Sequence, residues 1–198
     1  MYIIVLLILG YMIGYFFNLM GCFQVLDILD VFLFLSLSLM IFLVCFEVSY
    51  KEEFRIDKKV GKNIVYLVMA TVFGSALGGL FVGLFLGFTP TQSLGISLGM
   101  GWYTFSGAFL IRYMDTYTGM VCFLSNLIRE VFCMVAYGKL SRKVGTIPSI
   151  VMGGATTMDT NLPVIKLFGG NEAGIYALLH GVVITLLVPL LLPLTLLF

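Results

Sequence analysis

Gly153-Gly154-Ala155-Thr156-Thr157-Met158-Asp159-Thr160-Asn161-Leu162-Pro163 is the stretch whose reading decides the fold. It holds a carboxylate, three threonines, an amide, a glycine pair and a helix-breaking proline, inside sequence oily enough to sit in lipid. An ionised Asp at a bilayer centre costs roughly 2.5–3.5 kcal/mol on insertion scales. Breakable, polar backbone at that depth is tolerated only where protein buries it or where it lines a watery cavity. The stretch therefore reads as the lining of a path by which something polar crosses a membrane.

The rest of the chain supplies that membrane. Its mean hydropathy is +1.11, with 61% hydrophobic and 11% charged residues, whereas soluble domains carry about 25% charged residues. Several apolar runs reach the ~20 residues that a spanning helix needs. At 198 residues the chain reads as one membrane transport domain, 1–198. A formal charge of +1 and the lack of a polybasic run give no surface for nucleic acid. Cys22, Cys45, Cys122 and Cys133 are scattered singly and read as small apolar packing residues. No metal and no cofactor is expected.

Apolar spans are predicted over about 2–20, 28–48, 64–88, 116–137 and 173–196. The first lacks a basic flank and a clear cleavage site, so it reads as a retained span and not a signal peptide. Glu47 falls at the end of the second span and reads as a surface or interface acid. In the third span, Gly74 with Gly78, and Gly79 with Gly83 and Gly87, read as close-packing faces. Two further segments, about 91–113 and 147–168, are interrupted by Gly or Pro and do not read as ordinary spans.

Charge sets the topology. Lys and Arg accumulate in cytoplasmic loops, which places both the 51–62 loop and the Lys139, Arg142, Lys143 patch inside. Two crossings between them keep them on one side, so the 91–113 segment enters and returns from outside. By the same logic 147–168 enters and returns from the cytoplasm. The expected fold is an all-α polytopic membrane protein: about five transmembrane helices plus two broken, re-entrant helical hairpins of opposite orientation. Pairs of interrupted segments of this kind mark binding sites in secondary transporters.

Two acids carry the chemistry. Glu130 lies mid-helix with Asn126 one turn earlier on the same face, in reach of a hydrogen bond. Arg129 points about 100° away. Low dielectric disfavours the charged form of a carboxyl, so Glu130 and Asp159 read as groups that exchange protons or neutralise a cation. The alternative is an internal ion pair with Arg129 or Arg112. Tyr103, Thr104 and Ser106 in one broken segment, with Thr156, Thr157, Thr160 and Asn161 in the other, suit amide, hydroxyl or ammonium recognition. His180 reads as a network histidine or a proton-relay member; no Cys or second His accompanies it to make a metal site.

Gly-Trp-Tyr-x-x-Ser-Gly at 101–107, Asn-Leu-x-Arg-Glu at 126–130, Gly-Gly-Ala-Thr-x-Met-Asp-Thr-x-Leu-Pro at 153–163, and His-Gly at 180–181 followed by Val-Pro at 188–189 stand in one order along the chain. In these motifs it resembles the prokaryotic lysine-exporter family LysO, in a short, core-domain form. The resemblance implies export of L-lysine and close cationic analogues across the cytoplasmic membrane of a prokaryote, in exchange for protons. It also implies that the family's intramembrane acids fall on Glu130 and Asp159. Many relatives carry an additional N-terminal helical region, so the expected partners, besides lysine, protons and lipid, are a second copy of the chain or a separate membrane subunit. Tyr103-Thr104-Phe105-Ser106 departs from the family's more usual Tyr-Ser-Leu-Ser.

Rival classes are weaker. A serine intramembrane protease would pair Ser106 with His180, but position 104 is Thr where the Gly of Gly-x-Ser-Gly belongs. An aspartyl protease needs a matched acid pair, which Glu130 and Asp159 do not make. The chain is not expected to be an enzyme. A structural membrane subunit would need no buried acids, and a channel would show no coupled counterflow.

Overall fold

The computed structural model describes residues 12–16, 39, 42, 46 and 58–197. The chain divides into two compact units, Met1–Glu47 and Val48–Phe198. Most of the expected first and second spans, Glu47, and the larger part of the 51–62 loop lie outside the described residues. In the first unit residues 12–16 are helical and exposed.

The second unit is built from five α-helices among the described residues: α1 (Lys58–Leu86), α2 (Pro90–Ser97), α3 (Tyr103–Tyr113), α4 (Thr116–Val144) and α5 (Leu162–Thr195). Two 3-10 helices, Pro148–Met152 and Gly154–Met158, join α4 to α5. Three of these helices are long and apolar enough to cross a membrane: 27 residues of α1, all 29 of α4 and all 34 of α5. Large apolar side chains point outward along them, with Phe85 76% and Leu186 67% exposed. In water such a surface would aggregate; it suits lipid.

Prolines open helices here and do not simply break them. Pro90, Pro148 and Pro163 each stand in the first turn of their element, where a missing N–H costs nothing and the fixed φ is already helical. Pro163, read from the sequence as a breaker, thus starts α5. Within α5 the backbone leaves the helix at Gly170 (φ 76, ψ −173), so the apolar run after it, which includes Pro189 and Pro193, forms a separate helical piece.

Two boundaries differ from the sequence reading. Helix α1 begins at Lys58, inside the basic loop, and α4 runs to Val144, through the basic patch. Arg142 and Lys143 occupy the last turn of α4, where the partial negative charge of the helix end favours cations. The glycine faces also divide. A Cβ on Gly79 or Gly83 would run into Ser97 or Ser93 of α2, whereas Gly74 and Gly78 have nothing within 4 Å. Among the described residues close packing therefore holds for Gly79 and Gly83 only, and Gly87 (φ +77) likewise has nothing within 4 Å.

At the opposite helix ends a polar knot ties α2 to α4. Thr89 and Gln92 form a capping box, and Gln92 Nε2 donates to Thr118 Oγ1 at 3.0 Å. Asp115 caps α4, accepting from Thr118 N at 2.8 Å and Thr118 Oγ1 at 2.6 Å. These bonds hold the Asp115 carboxyl below its ordinary range. A lowered folded value means that the cap is at full strength above the unfolded value of about 3.9 and is lost as pH falls through the folded one. Asp115→Ala is expected to lower the melting temperature by about 2–4 °C at pH 7, and the difference from wild type should shrink in melts taken below about pH 4.

Candidate functional site

The chain leaves α-helix twice in the middle of the second unit, and the two departures meet. Residues 98–102 separate α2 from α3, and the 3-10 helices separate α4 from α5. Ala155 N donates to Met100 O at 2.8 Å, one backbone directly to the other. Met100 is fully buried with φ 42, a left-handed conformation that costs a non-glycine residue energy and persists only where its surroundings enforce it. Gly101 (φ +96) and Gly154 (φ +62) flank the contact. A Cβ on Gly101 would come within 2.9 Å of Gly153 O, and one on Gly154 would run into Met100 O.

Helix α4 supplies what both breaks lack. Free backbone groups inside a membrane protein must find partners, and two side chains of α4 provide them. Asn126 accepts from Gly101 N at 2.7 Å and donates to Ile96 O at 3.0 Å, which satisfies the first break. Arg129 donates through Nε to Met152 O at 2.8 Å and through Nη2 to Val151 O at 3.0 Å, which satisfies the second. Its Nη1 reaches Ser75 Oγ of α1 at 2.9 Å. The expected bond from Asn126 to Glu130 is therefore not made, because the amide is used on backbone. Nor does Arg129 pair with a carboxylate among the described residues. Arg112, the other cation considered, is exposed at the end of α3.

Glu130 lies one turn beyond Asn126 on α4. It is 6% exposed, and Oε2 has no hydrogen-bond partner among the described residues. Around it stand Tyr103 of α3, and Asp159 and Thr160 after the second 3-10 helix. Tyr103 is held edge-on against Phe123, ring centroids 5.2 Å apart. Asp159 Oδ1 accepts from Thr160 N at 2.6 Å and from Thr160 Oγ1 at 3.3 Å. Tyr103, Asp159 and Thr160 are half-buried, so the cluster is screened from the surroundings without being sealed.

The remaining sequence candidates support this cluster or lie apart from it. Asn161 and Thr156 bond to each other, Nδ2 to Oγ1 at 2.6 Å. Thr157 Oγ1 contacts His180 Nδ1 at 3.1 Å, and Thr71 Oγ1 of α1 contacts His180 Nε2 at 2.8 Å. Thr157 has one hydroxyl hydrogen and two carbonyl neighbours, Gly154 O at 2.8 Å and Ala177 O at 2.9 Å. Thr71 Oγ1 likewise faces a carbonyl, Leu67 O at 2.9 Å, so a threonine hydroxyl flanks each ring nitrogen. His180 is a tether between α1, the second break and α5. Ser106 lies beneath the first break, donating to Trp102 O at 2.8 Å and accepting from Cys122 Sγ at 3.3 Å; it makes no pair with His180. Thr104 is exposed and lines an apolar groove with Gly107, Ile111 and Phe123, away from the acids.

A separate cleft of about 500 Å³ opens beside α1, lined by Gly74, Ser75, Gly78, Asn126, Arg129 and Met152 among others. The braces Asn126 and Arg129 line it, and neither Glu130 nor Asp159 does. Among the described residues no three His, Cys, Asp or Glu side chains gather closely enough to hold a metal ion.

Long apolar helices packed around two touching breaks are the architecture of a helical membrane protein. The chain belongs to the lysine exporter LysO family, whose profile matches residues 4–196. A curated relative named "Lysine exporter LysO" from Escherichia coli (strain K12) is 35% identical over 100 residues, 50% of this chain and 33% of that protein. A "Putative lysine exporter" from Haemophilus influenzae (strain ATCC 51907 / DSM 11121 / KW20 / Rd) is 34% identical over 102 residues, 52% of each. The matched part of the chain thus covers one third of the first relative and about half of the second. No solved structure matches. The family is one of exporters, not a class of enzymes.

Proposed function

We propose that the chain exports L-lysine and close cationic analogues across the cytoplasmic membrane of a prokaryote by exchange with protons. The observation that carries the reading is the placing of Glu130 and Asp159 together, with Tyr103 and Thr160, at the edge of two touching helix breaks. The relatives' names supply the cargo. A carboxylate pair out of water is costly when both members are charged. Either a proton or an ammonium relieves that cost, so the two compete for the same oxygens. A proton arriving from outside then displaces lysine, and export follows the inward proton gradient. The ends of broken helices add partial charges that favour ions at the same place.

In this reading the whole of 1–198 acts as one transport domain of about five spans. Its interrupted segments, 91–113 and 147–168, are re-entrant hairpins entering from opposite sides. The working unit is a homodimer or an assembly with a further membrane subunit.

The test is counterflow of radiolabelled lysine in proteoliposomes under an imposed pH gradient. Wild type should show saturable uptake that rises with the gradient. Asp159→Asn should lower counterflow at least about tenfold and remove its response to pH, since the amide cannot take up the exchanged proton. Efflux at wild-type rate and pH dependence in that variant would sink the proposal, and unsaturable flux would point to a pore.

A further inference from the structure

We propose that the cleft beside α1 is a site for the head group of an α-amino acid, its carboxylate held by Arg129 and Ser75. The inference rests on the export reading for the identity of the cargo. It places the head group apart from Glu130 and Asp159, which do not line the cleft. At about 500 Å³ the cleft is within the ~300–1,000 Å³ typical of small-molecule sites. Its room comes from α1, where Gly74 and Gly78 line it and a Cβ on either would have nothing within 4 Å.

One part of the lining has donors to spare. Arg129 carries five N–H bonds, and three are used, on Met152 O, Ser75 Oγ and Val151 O. Two remain without an acceptor among the described residues. Ser75 Oγ accepts from the guanidinium, which has no lone pair to offer in return. The Ser75 hydroxyl hydrogen therefore points elsewhere, and it meets no acceptor among the described residues. Arg129 and all three of its partners border the same space. A charge inside a membrane pairs with an opposite charge or with carbonyls, and the two carbonyls here occupy only part of the fork. An ionised carboxylate is acceptor-only and takes a guanidinium through two parallel bonds.

Acceptors stand on the same lining. Ser125 lies one turn before Arg129 on the same face of α4, and its hydroxyl donates to Cys122 O at 3.1 Å. Ser97 Oγ, at the end of α2, donates to Leu94 O at 3.3 Å. Both residues line the cleft, and both oxygens keep their capacity to accept. Spare donors beside spare acceptors match the carboxylate and the ammonium of an α-amino acid. An inorganic anion would use the donors alone, and an acyl chain would use neither.

Isothermal titration of the purified full-length chain tests this with three ligands. They are lysine, lysinamide (a neutral amide in place of the carboxylate) and norleucine (the same head group without the ε-ammonium). Wild type should bind lysine at least about tenfold more tightly than lysinamide. Ser75→Ala removes one donor and should shrink that preference to about threefold or less. A general loosening of the fold would weaken both ligands alike and leave the preference unchanged. Gly78→Leu suits a helix and fills the cleft, so it should weaken lysine about tenfold or more. Gly74→Leu makes the same prediction and serves if Gly78→Leu fails to fold. Equal binding of lysine and lysinamide in wild type, or unchanged lysine affinity in the leucine variant, overturns the site. Lysine counterflow that persists in that case leaves the export reading standing. Norleucine binding that Gly78→Leu abolishes, in a chain without lysine counterflow, keeps the site and removes the export reading. A wild type that binds neither lysine nor norleucine overturns the site.

Discussion

Gly154→Ala should leave little folded protein and no transport, whereas Gly170→Ala should remain folded. Both glycines have positive φ, 62 and 76, and Gly170, with ψ −173, lies where glycine is almost the sole occupant, so an L-residue costs ~1–3 kcal/mol at either site. That strain alone is tolerable against a stability of roughly 5–15 kcal/mol. The surroundings decide the outcome. Among the described residues nothing lies within 4 Å of a Cβ at Gly170, but one at Gly154 meets the carbonyl of Met100. That carbonyl is backbone, held by Ala155 N, and no side-chain rotation relieves the overlap. A total above about 4 kcal/mol is expected for Gly154→Ala. Fluorescence-detected size exclusion after a temperature ramp compares the pair; equal melting points would show that the crossing of the breaks is looser than drawn.

Arg129→Leu is expected to cut lysine counterflow on the order of 100-fold while Arg129→Lys retains part of it. The guanidinium satisfies Val151 O, Met152 O and Ser75 Oγ together. Leucine would leave two carbonyls of the second break unpaired, at ~1–3 kcal/mol each. Lysine is a point donor on a flexible stem and cannot reproduce the planar fork, so it can hold one carbonyl but not both. Because the break carries Asp159 a few residues on, a loosened first 3-10 helix misplaces the acid, and the loss should appear mainly in maximal rate. An Arg129→Lys variant no better than Arg129→Leu would mean that the fork, and not a donor as such, is what the break requires.

Much of this arrangement is legible in the amino-acid sequence. Apolar run length gives α1, α4 and the last part of α5, and the glycines at 99, 101, 153 and 154 fall in the two stretches that leave α-helix. Glu130 and Asp159 stand out as acids in lipid-soluble sequence. Other features are not local properties. Helical spacing puts Asn126 and Glu130 on one face, but it does not reveal that Gly101 N lies opposite the amide and takes it. Thr104 follows Tyr103 and falls on another face of the same short helix, turned to the apolar groove. Basic residues at 139–143 read as a loop by charge alone, whereas the end of α4 attracts them. Arg129 was readable only as a possible ion-pair partner. The overlooked signal was an arginine within an apolar helix, in a chain with two glycine-rich breaks whose carbonyls need donors. Nothing in the sequence marks Met100 for positive φ.

The backbone bond between Ala155 and Met100 also bears on how such a chain can vary. Glycine at 101 and glycine at 154 are one requirement written in two distant places, because a side chain at either would be built into the other stretch's main chain. Neither position is free to drift while its counterpart stays fixed. Lineages that altered one break would have had to rebuild both, along with Asn126 and Arg129 on the helix that services them. For evolution the two polar stretches and the middle of α4 are a single inheritable part, however far apart they stand in the chain.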